Sequence, residues 1–220
     1  MASWMVHLRI ADKLLDKIPD LSVTEFIVGN IAPDSGVPNE DWSAFIPSTN
    51  VSHFKEGSKK ASPEKFAAKY FTQSQQRHYN KQQYSFYLGY LVHLLTDKFW
   101  SDKIAKPTMD RFSEDLSKDK SGTISKIKED WYDLDFLYIR RHPDFRAFSI
   151  FDGAAGFENT FMDEFSRDAF DNRRAYITDF YRQRNDNLER YYPYLTEADV
   201  DRFIAKSTTE IVKALEMYCI

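Results

Sequence analysis

The stretch YSFYLGYLVHLLTDKFW, residues 84–100, is apolar on nearly every side of a helix, yet it carries His93 and Asp97 four positions apart. Helix positions i and i+4 share a face, with Cβ atoms roughly 5–6 Å apart. A helix that is apolar all round is an interior one, so this stretch predicts a buried central helix over 81–104. An unpaired buried carboxylate is strongly unfavourable. Asp97 must therefore be paired, hydrogen-bonded or bound to a metal.

Outward from the central helix, residues 4–18 form an amphipathic pattern with Trp4, His7, Leu8, Ala11, Leu14, Leu15 and Ile18 on one stripe. His7 is thereby turned inward. A short second helix runs from Ser22, its N-cap, to Ile31, and Pro33 ends it. Residues 33–62 hold three prolines and many turn formers. A loop of that length inside a compact domain is usually functional. Further helices are expected from Ser62 to about 78 and from 123 to 141, the latter with Ile127, Trp131 and Leu134 at core spacing. KDKSG, residues 118–122, reads as a solvated turn. Two or three more helices are expected between 158 and 218, the last opening near Thr196 with Glu197 and Asp199 in its first turn. Seven glycines and eight prolines are few for a sheet with many tight turns. With no internal repeat or long linker, one all-α domain over 1–220, a helical bundle, is the expectation.

The composition narrows the function classes. A net charge of −4 gives no general attraction to nucleic acid or an anionic membrane, so no nucleic-acid partner is expected. The single cysteine, Cys219, allows no disulfide within the chain. In MASWMVHLRIADKLL the charges of Arg9, Asp12 and Lys13 interrupt any apolar run, so neither a signal peptide nor a membrane span is read. A cytoplasmic location is the matching expectation.

The first hundred residues hold five inward or loop-borne ligand types: His7, Asp34, His53, His93 and Asp97. Imidazole and carboxylate are common non-thiolate ligands of zinc, at about 2.0–2.2 Å, and they also suit manganese, iron or nickel. Each residue has a simpler reading. His7 fits a hydrogen-bonded core histidine, and His93 with Asp97 an intrahelical pair. Asp34, between Pro33 and Ser35-Gly36, fits a turn, and His53 an ordinary loop histidine.

Taken together, the segments SWMVHLRIADKLL, EFIVGNIAPDSG, VSHF and YLGYLVHLLTDKFW, over residues 3–105, resemble in order and spacing the zinc-dependent phospholipase C family. That family is related to the single-strand-specific zinc nucleases. The resemblance implies an all-α bundle with a metal site in a cleft between helices, holding one or two zinc ions. It implies that Asp34, His53, His93 and Asp97 bind one ion, and that His7, with Asp97 as a bridge, holds a second. The implied activity is metal-dependent hydrolysis of a phosphate ester, either a small molecule or a lipid. A metal-bound water, its pKa lowered from ~15.7 towards about 7, would attack, and Asp34 would be its catalytic helper base.

The sequence also departs from the family. Secreted members ligate metal through the free amine of an N-terminal tryptophan, whereas Trp4 here follows Met-Ala-Ser. They also carry a downstream histidine–three residues–glutamate step. After Asp97 this chain has only His142, with no glutamate four residues on. A shortened metal site is expected, with Asp135 in KEDWYDLDFLY the candidate for rebuilding a further one. Asp130, Asp133, His78 and His142 read as solvated. Arg167, Arg173, Arg174, Arg182, Arg184 and Arg190 fit a salt-bridged helix face better than a phosphate clamp. The competing classes are a non-catalytic metalloprotein, in which the ion ties helices together, and a metal-free helical interaction module. A histidine–aspartate phosphohydrolase is disfavoured because no His-Asp dipeptide occurs.

Overall fold

In the computed structural model the described residues are 1–219 except 42, 56, 58, 59 and 184–186. The architecture is all-α, with one two-stranded pair. Helix α6 (Lys81–Trp100) runs through its middle and is buried along almost every turn from Ser85 to Asp97. Asn80 caps it, and Gln83 returns the bond in a reciprocal box. The expectation ended this helix at 104. Instead a widened π turn (Ser101–Ala105) carries the chain into α7 (Lys106–Arg111). Pro107 explains the widening: it has no amide hydrogen, and its ring crowds the carbonyl one turn back.

Helix α1 (Trp4–Leu15) begins at Ser3, whose Oγ accepts from the Val6 amide, and it ends three residues before the expected 18. Helix α2 (Val23–Ile31) follows, with Ser22 as N-cap residue. Its crossing with α6 sets the site. A Cβ on Gly29 would lie 2.2 Å from the Phe86 carbonyl oxygen, and one on Gly89 would lie 2.2 Å from that of Phe26. Two glycines facing each other let the backbones touch, which no larger residue permits.

The long loop is built, not slack. It contains a 3-10 turn (Ala32–Asp34), the antiparallel pair β1 (Val37–Pro38) and β2 (Phe45–Ile46), and the short helix α3 (Thr49–Ser52). The helix expected from 62 to 78 is divided into α4 (Pro63–Tyr70) and α5 (Gln73–Gln76). The division falls at Thr72, which opens α5 through a reciprocal cap with Gln75. Next come α8 (Ser113–Lys118) and α9 (Lys120–Arg141). The solvated turn shrinks to a single break at Asp119, which caps α9 by accepting from the Gly122 amide at 2.9 Å. Then follow α10 (Arg146–Gly153), α11 (Ala169–Arg182) and α12 (Glu197–Leu215), the last opened by a Thr196–Asp199 box.

A single apolar cluster extends from Ala2 to Leu215. Many of the aromatics are used in it, for instance Phe66 stacked on Tyr90 at 4.6 Å and Phe86 on Phe161 at 4.4 Å. Among the described residues no helix is long and apolar enough to cross a membrane.

Candidate metal centre

The five ligand-type residues converge. His7 comes from α1, Asp34 from the 3-10 turn, His53 from the end of α3, and His93 and Asp97 from α6. All three imidazoles are fully buried, and Asp97 is nearly so. Around His53 Nε2 lie His93 Nε2 at 3.2 Å, Asp34 Oδ1 at 3.4 Å and Asp97 Oδ2 at 3.5 Å. His93 Nε2 is 3.8 Å from Asp97 Oδ2 and 4.0 Å from Asp34 Oδ1. His7 stacks face to face on His93 at 3.8 Å, with its Nε2 3.4 Å from Asp97 Oδ1. Asp97 thus turns one oxygen to each side.

Neighbouring groups fix these orientations. The close crossing of α2 on α6 brings the Asn30 carbonyl 2.8 Å from His93 Nδ1. A carbonyl only accepts, so neutral His93 carries its hydrogen on Nδ1 and presents a bare lone pair at Nε2. Ser52 Oγ lies 2.9 Å from His53 Nδ1, and the Tyr90 hydroxyl donates to the Ser52 carbonyl at 2.5 Å. Phe54 follows with φ 55, a left-handed conformation uncommon for a bulky residue. Its ring packs on Phe66 and Tyr90.

The donor set fits a cation. Three further ligand-type atoms gather around His53 Nε2, and the Asp97 Oδ2 and both nitrogens of His7 have no hydrogen-bond partner although buried. Ligands about 2.0–2.2 Å from a tetrahedral ion lie roughly 3.4 Å from one another. The spacings of 3.2–4.0 Å among Asp34, His53, His93 and Asp97 bracket that value. The residues fall into two overlapping triads, Asp34–His53–His93 and His7–His93–Asp97. The second is the poorer one, because Asp97 Oδ1 already accepts from the Ala2 amide at 2.7 Å and His93 has one free lone pair to give.

The charges are those a cation needs. Burial works to raise the Asp34 carboxyl, but His53, with His93 beside it, holds it well below the usual carboxylate range. Asp97 is likewise held low against burial by His7 and His93. Burial, with His7 beside it, pushes His93 down to about 3, so it is neutral.

Asp135 lies elsewhere. It is buried on α9, and its two oxygens accept from Ser3 Oγ at 2.9 Å and the Tyr181 hydroxyl at 2.8 Å. Burial pushes its carboxyl up to about 7. It belongs to neither triad. Asp130, expected to be solvated, is in fact buried. It accepts from Arg190 and from the Tyr194 amide, each at 2.8 Å, and Asp133 accepts from the same arginine. The chain around 190 folds back over α9, a contact no local pattern announces. His78 and His142 are exposed, as expected.

A cavity of about 370 Å³ opens beside the triads. Of the five residues only Asp34 lines it, together with Ala2 and Ser52. Its walls are mostly apolar, from Trp4, Phe45, Met109, Trp131 and Tyr132. Lys128 and Arg173 add two cations to them. The other arginines of that region are paired as read from the sequence: Arg167 with Glu158, Arg174 with Asp171, Arg182 with Asp152 and Arg190 with Asp130 and Asp133. Arg184 lies outside the described residues. Arg173 departs from that reading: it is 6 % exposed and bonds the Gly36 carbonyl rather than a carboxylate.

Residues 6–110 match the family model of zinc dependent phospholipase C, the family that the sequence motifs resemble. The match contains all five ligand-type residues and stops before Asp135 and Arg173. Comparison with curated proteins and with solved structures gives no match.

Proposed function

We propose that the protein is a metal-dependent hydrolase of phosphate esters, most simply phosphodiesters, in which Asp34, His53, His93 and Asp97 hold one divalent cation. Zinc is the ion the family's name supports. The observation that carries the reading is the gathering of two imidazoles and two ionised carboxylates beside a cavity. When bound, such a cation supplies Lewis acidity, polarising a phosphoryl oxygen and acidifying water.

The protein residues divide the remaining work. His93 and Asp97, on the rigid central helix, fix the site, while the Asn30 carbonyl keeps the His93 tautomer. Asp34 alone among the ligands reaches the cavity, so it accepts a hydrogen bond from the attacking water and aligns it. Its carboxyl is held too low to retain a proton well, which makes orientation the larger part of its role. His7, stacked on His93, backs the site and is not needed for the first ion.

A structural ion is the second reading, favoured by one observation: the site offers four protein ligands, the number a closed tetrahedral shell uses. Activity separates the two. The purified protein, with its metal measured, is assayed on aryl phosphomonoesters, aryl phosphodiesters and a short-chain phospholipid, before and after chelation. Chelator-sensitive hydrolysis is the expected result. Stoichiometric metal with no turnover of any of the three would leave the structural reading standing.

A further inference from the structure

Arg173 is a buried cation with no carboxylate in ion-pair contact among the described residues. It sits in the second turn of α11 and is 6 % exposed. Its Nη2 donates to the Gly36 carbonyl at 2.7 Å, while Nε, also buried, has no partner. The guanidinium is held over the rings of Tyr176 at 5.4 Å and Trp4 at 5.9 Å, within reach of cation–π attraction. Every one of these contacts is neutral. A buried charge left without an opposite charge is destabilising unless something supplies one.

The surroundings say what that is. Arg173 lines the cavity that Asp34 also lines, and the Asp34 charge acts on it. With a divalent cation on Asp34, the carboxylate is committed to the ion and this end of the cavity is net positive. Phosphate is the anion a planar guanidinium recognises best. The rest of the lining is mostly apolar, from Trp4, Phe45, Met109, Trp131 and Tyr132, with Lys128 as a second cation and Asp34 as its one carboxylate among the described residues.

We propose that Arg173 is a phosphate-binding residue of this cavity, the buried guanidinium that holds the substrate's phosphoryl group beside Asp34. This assignment rests on the phosphoesterase reading above, and it lies outside the stretch that matches the family. The guanidinium takes a phosphoryl oxygen. The phosphate is thereby presented beside Asp34.

The test measures binding of inorganic phosphate to the zinc-loaded protein by calorimetry, for the wild type, Arg173→Gln, Arg173→Lys and the exposed-pair control Arg167→Gln. Metal content and thermal stability are measured on each. A charge-assisted hydrogen bond is worth about 1.5–3 kcal/mol, so Arg173→Gln weakens phosphate binding roughly 10–100-fold with its zinc retained. Arg173→Lys recovers part of the loss, and Arg167→Gln binds as the wild type does. With an aryl phosphodiester and a monomeric short-chain phospholipid as alternative substrates, Arg173→Gln raises KM far more than it lowers kcat. Whichever of the two has the higher kcat/KM identifies the source of the diester.

Wild-type phosphate affinity in zinc-loaded Arg173→Gln overturns the assignment, as does a zinc-loaded wild type that binds no phosphate. If phosphate binding depends on Arg173 but no ester is hydrolysed, the hydrolase reading fails and the anion site stands. If Arg173→Gln does not fold, the wild-type side chain decides. Its Nε–H resonance shifts when phosphate is added, and a resonance that stays put rejects the assignment.

Discussion

Asp97 and Asp135 are both carboxyl groups on long helices, each 4 % exposed, yet the fold keeps the first ionised and holds the proton of the second up to about pH 7. Asp97 faces imidazoles, keeps one oxygen without a hydrogen bond, and is held ionised against its burial. Asp135 faces two hydroxyls, has both oxygens occupied, and is pushed up to about 7. Burial is common to both, so it cannot be what marks a ligand. The partners decide. Imidazole lone pairs beside a carboxylate leave room for a cation, whereas hydroxyl donors consume the carboxylate and make it a structural cross-link, here between α9, the start of α1 and α11.

The sharpest way to break this contrast is to remove one carboxylate at a time. Asp97→Asn keeps the shape but loses a charge and a ligand atom. Substituting even outer residues of metal sites weakens binding or activity about 10–100-fold. Asp97→Asn is therefore expected to lose more than about 100-fold in kcat/KM on an aryl phosphodiester, whereas Asp135→Asn keeps activity near the wild-type level. Equal losses in the two variants would erase the distinction.

Chelation is the next largest lever. A ligand present at 1,000 times its Kd stabilises the folded state by about 4 kcal/mol, which for a chain of this size is roughly 8–16 °C in Tm. Treatment with a chelator should lower the Tm of the wild type and of Asp135→Asn by that amount, and leave Asp97→Asn unmoved. A wild type insensitive to chelation contradicts the reading.

The pH dependence of stability separates the two carboxylates by sign. Asp135 keeps its proton in the fold up to about 7, while the unfolded chain has lost it above the ordinary value of 3.8. The folded state then binds more protons, so stability falls as pH rises from about 4 to 7. Across that whole window the loss amounts to about 4 kcal/mol. His93 acts in the opposite direction in the metal-free protein. The unfolded imidazole protonates below 6.5 and the folded one only near 3, so acid removes stability across that window. Urea titrations in chelator at pH 5 and pH 8 should show Asp135→Asn gaining on the wild type as pH rises. Parallel curves would mean that Asp135 is not held neutral.

The smallest expected effect is at Ser3. Ser3→Ala removes the α1 cap and one donor to Asp135. It should lower stability by about 1–2 kcal/mol without changing zinc content, as chemical denaturation and metal analysis together would reveal.

Much of this was legible in the chain. The period of residues 84–100 identified the buried helix, and the four-residue step placed His93 and Asp97 on one face. Pro33 and Thr196 marked helix ends through local chemistry that needs no tertiary information, and Ser22 marked the start of α2 although its side chain makes no capping bond. What stayed hidden depends on distant contacts. Asn30 acquires its role only because Gly29 and Gly89 let two backbones touch. Asp130 is buried by Arg190 and Tyr194, some sixty residues away in the chain. Arg173 looked like its charged neighbours because helix spacing does not reveal that its carbonyl partner lies in another segment. The break at Thr72 was readable in principle from the Thr72–Gln75 spacing.

The most direct measurement is metal analysis by mass spectrometry on protein stripped with chelator and then dialysed against zinc, for the wild type, Asp135→Asn and Asp97→Asn. Roughly one tightly held ion per chain in the first two, and none in the third, is the result expected from a four-ligand site of this kind. A wild type that takes up no zinc, manganese, iron or nickel, or an Asp97→Asn protein that holds its ion as firmly as the wild type, contradicts it.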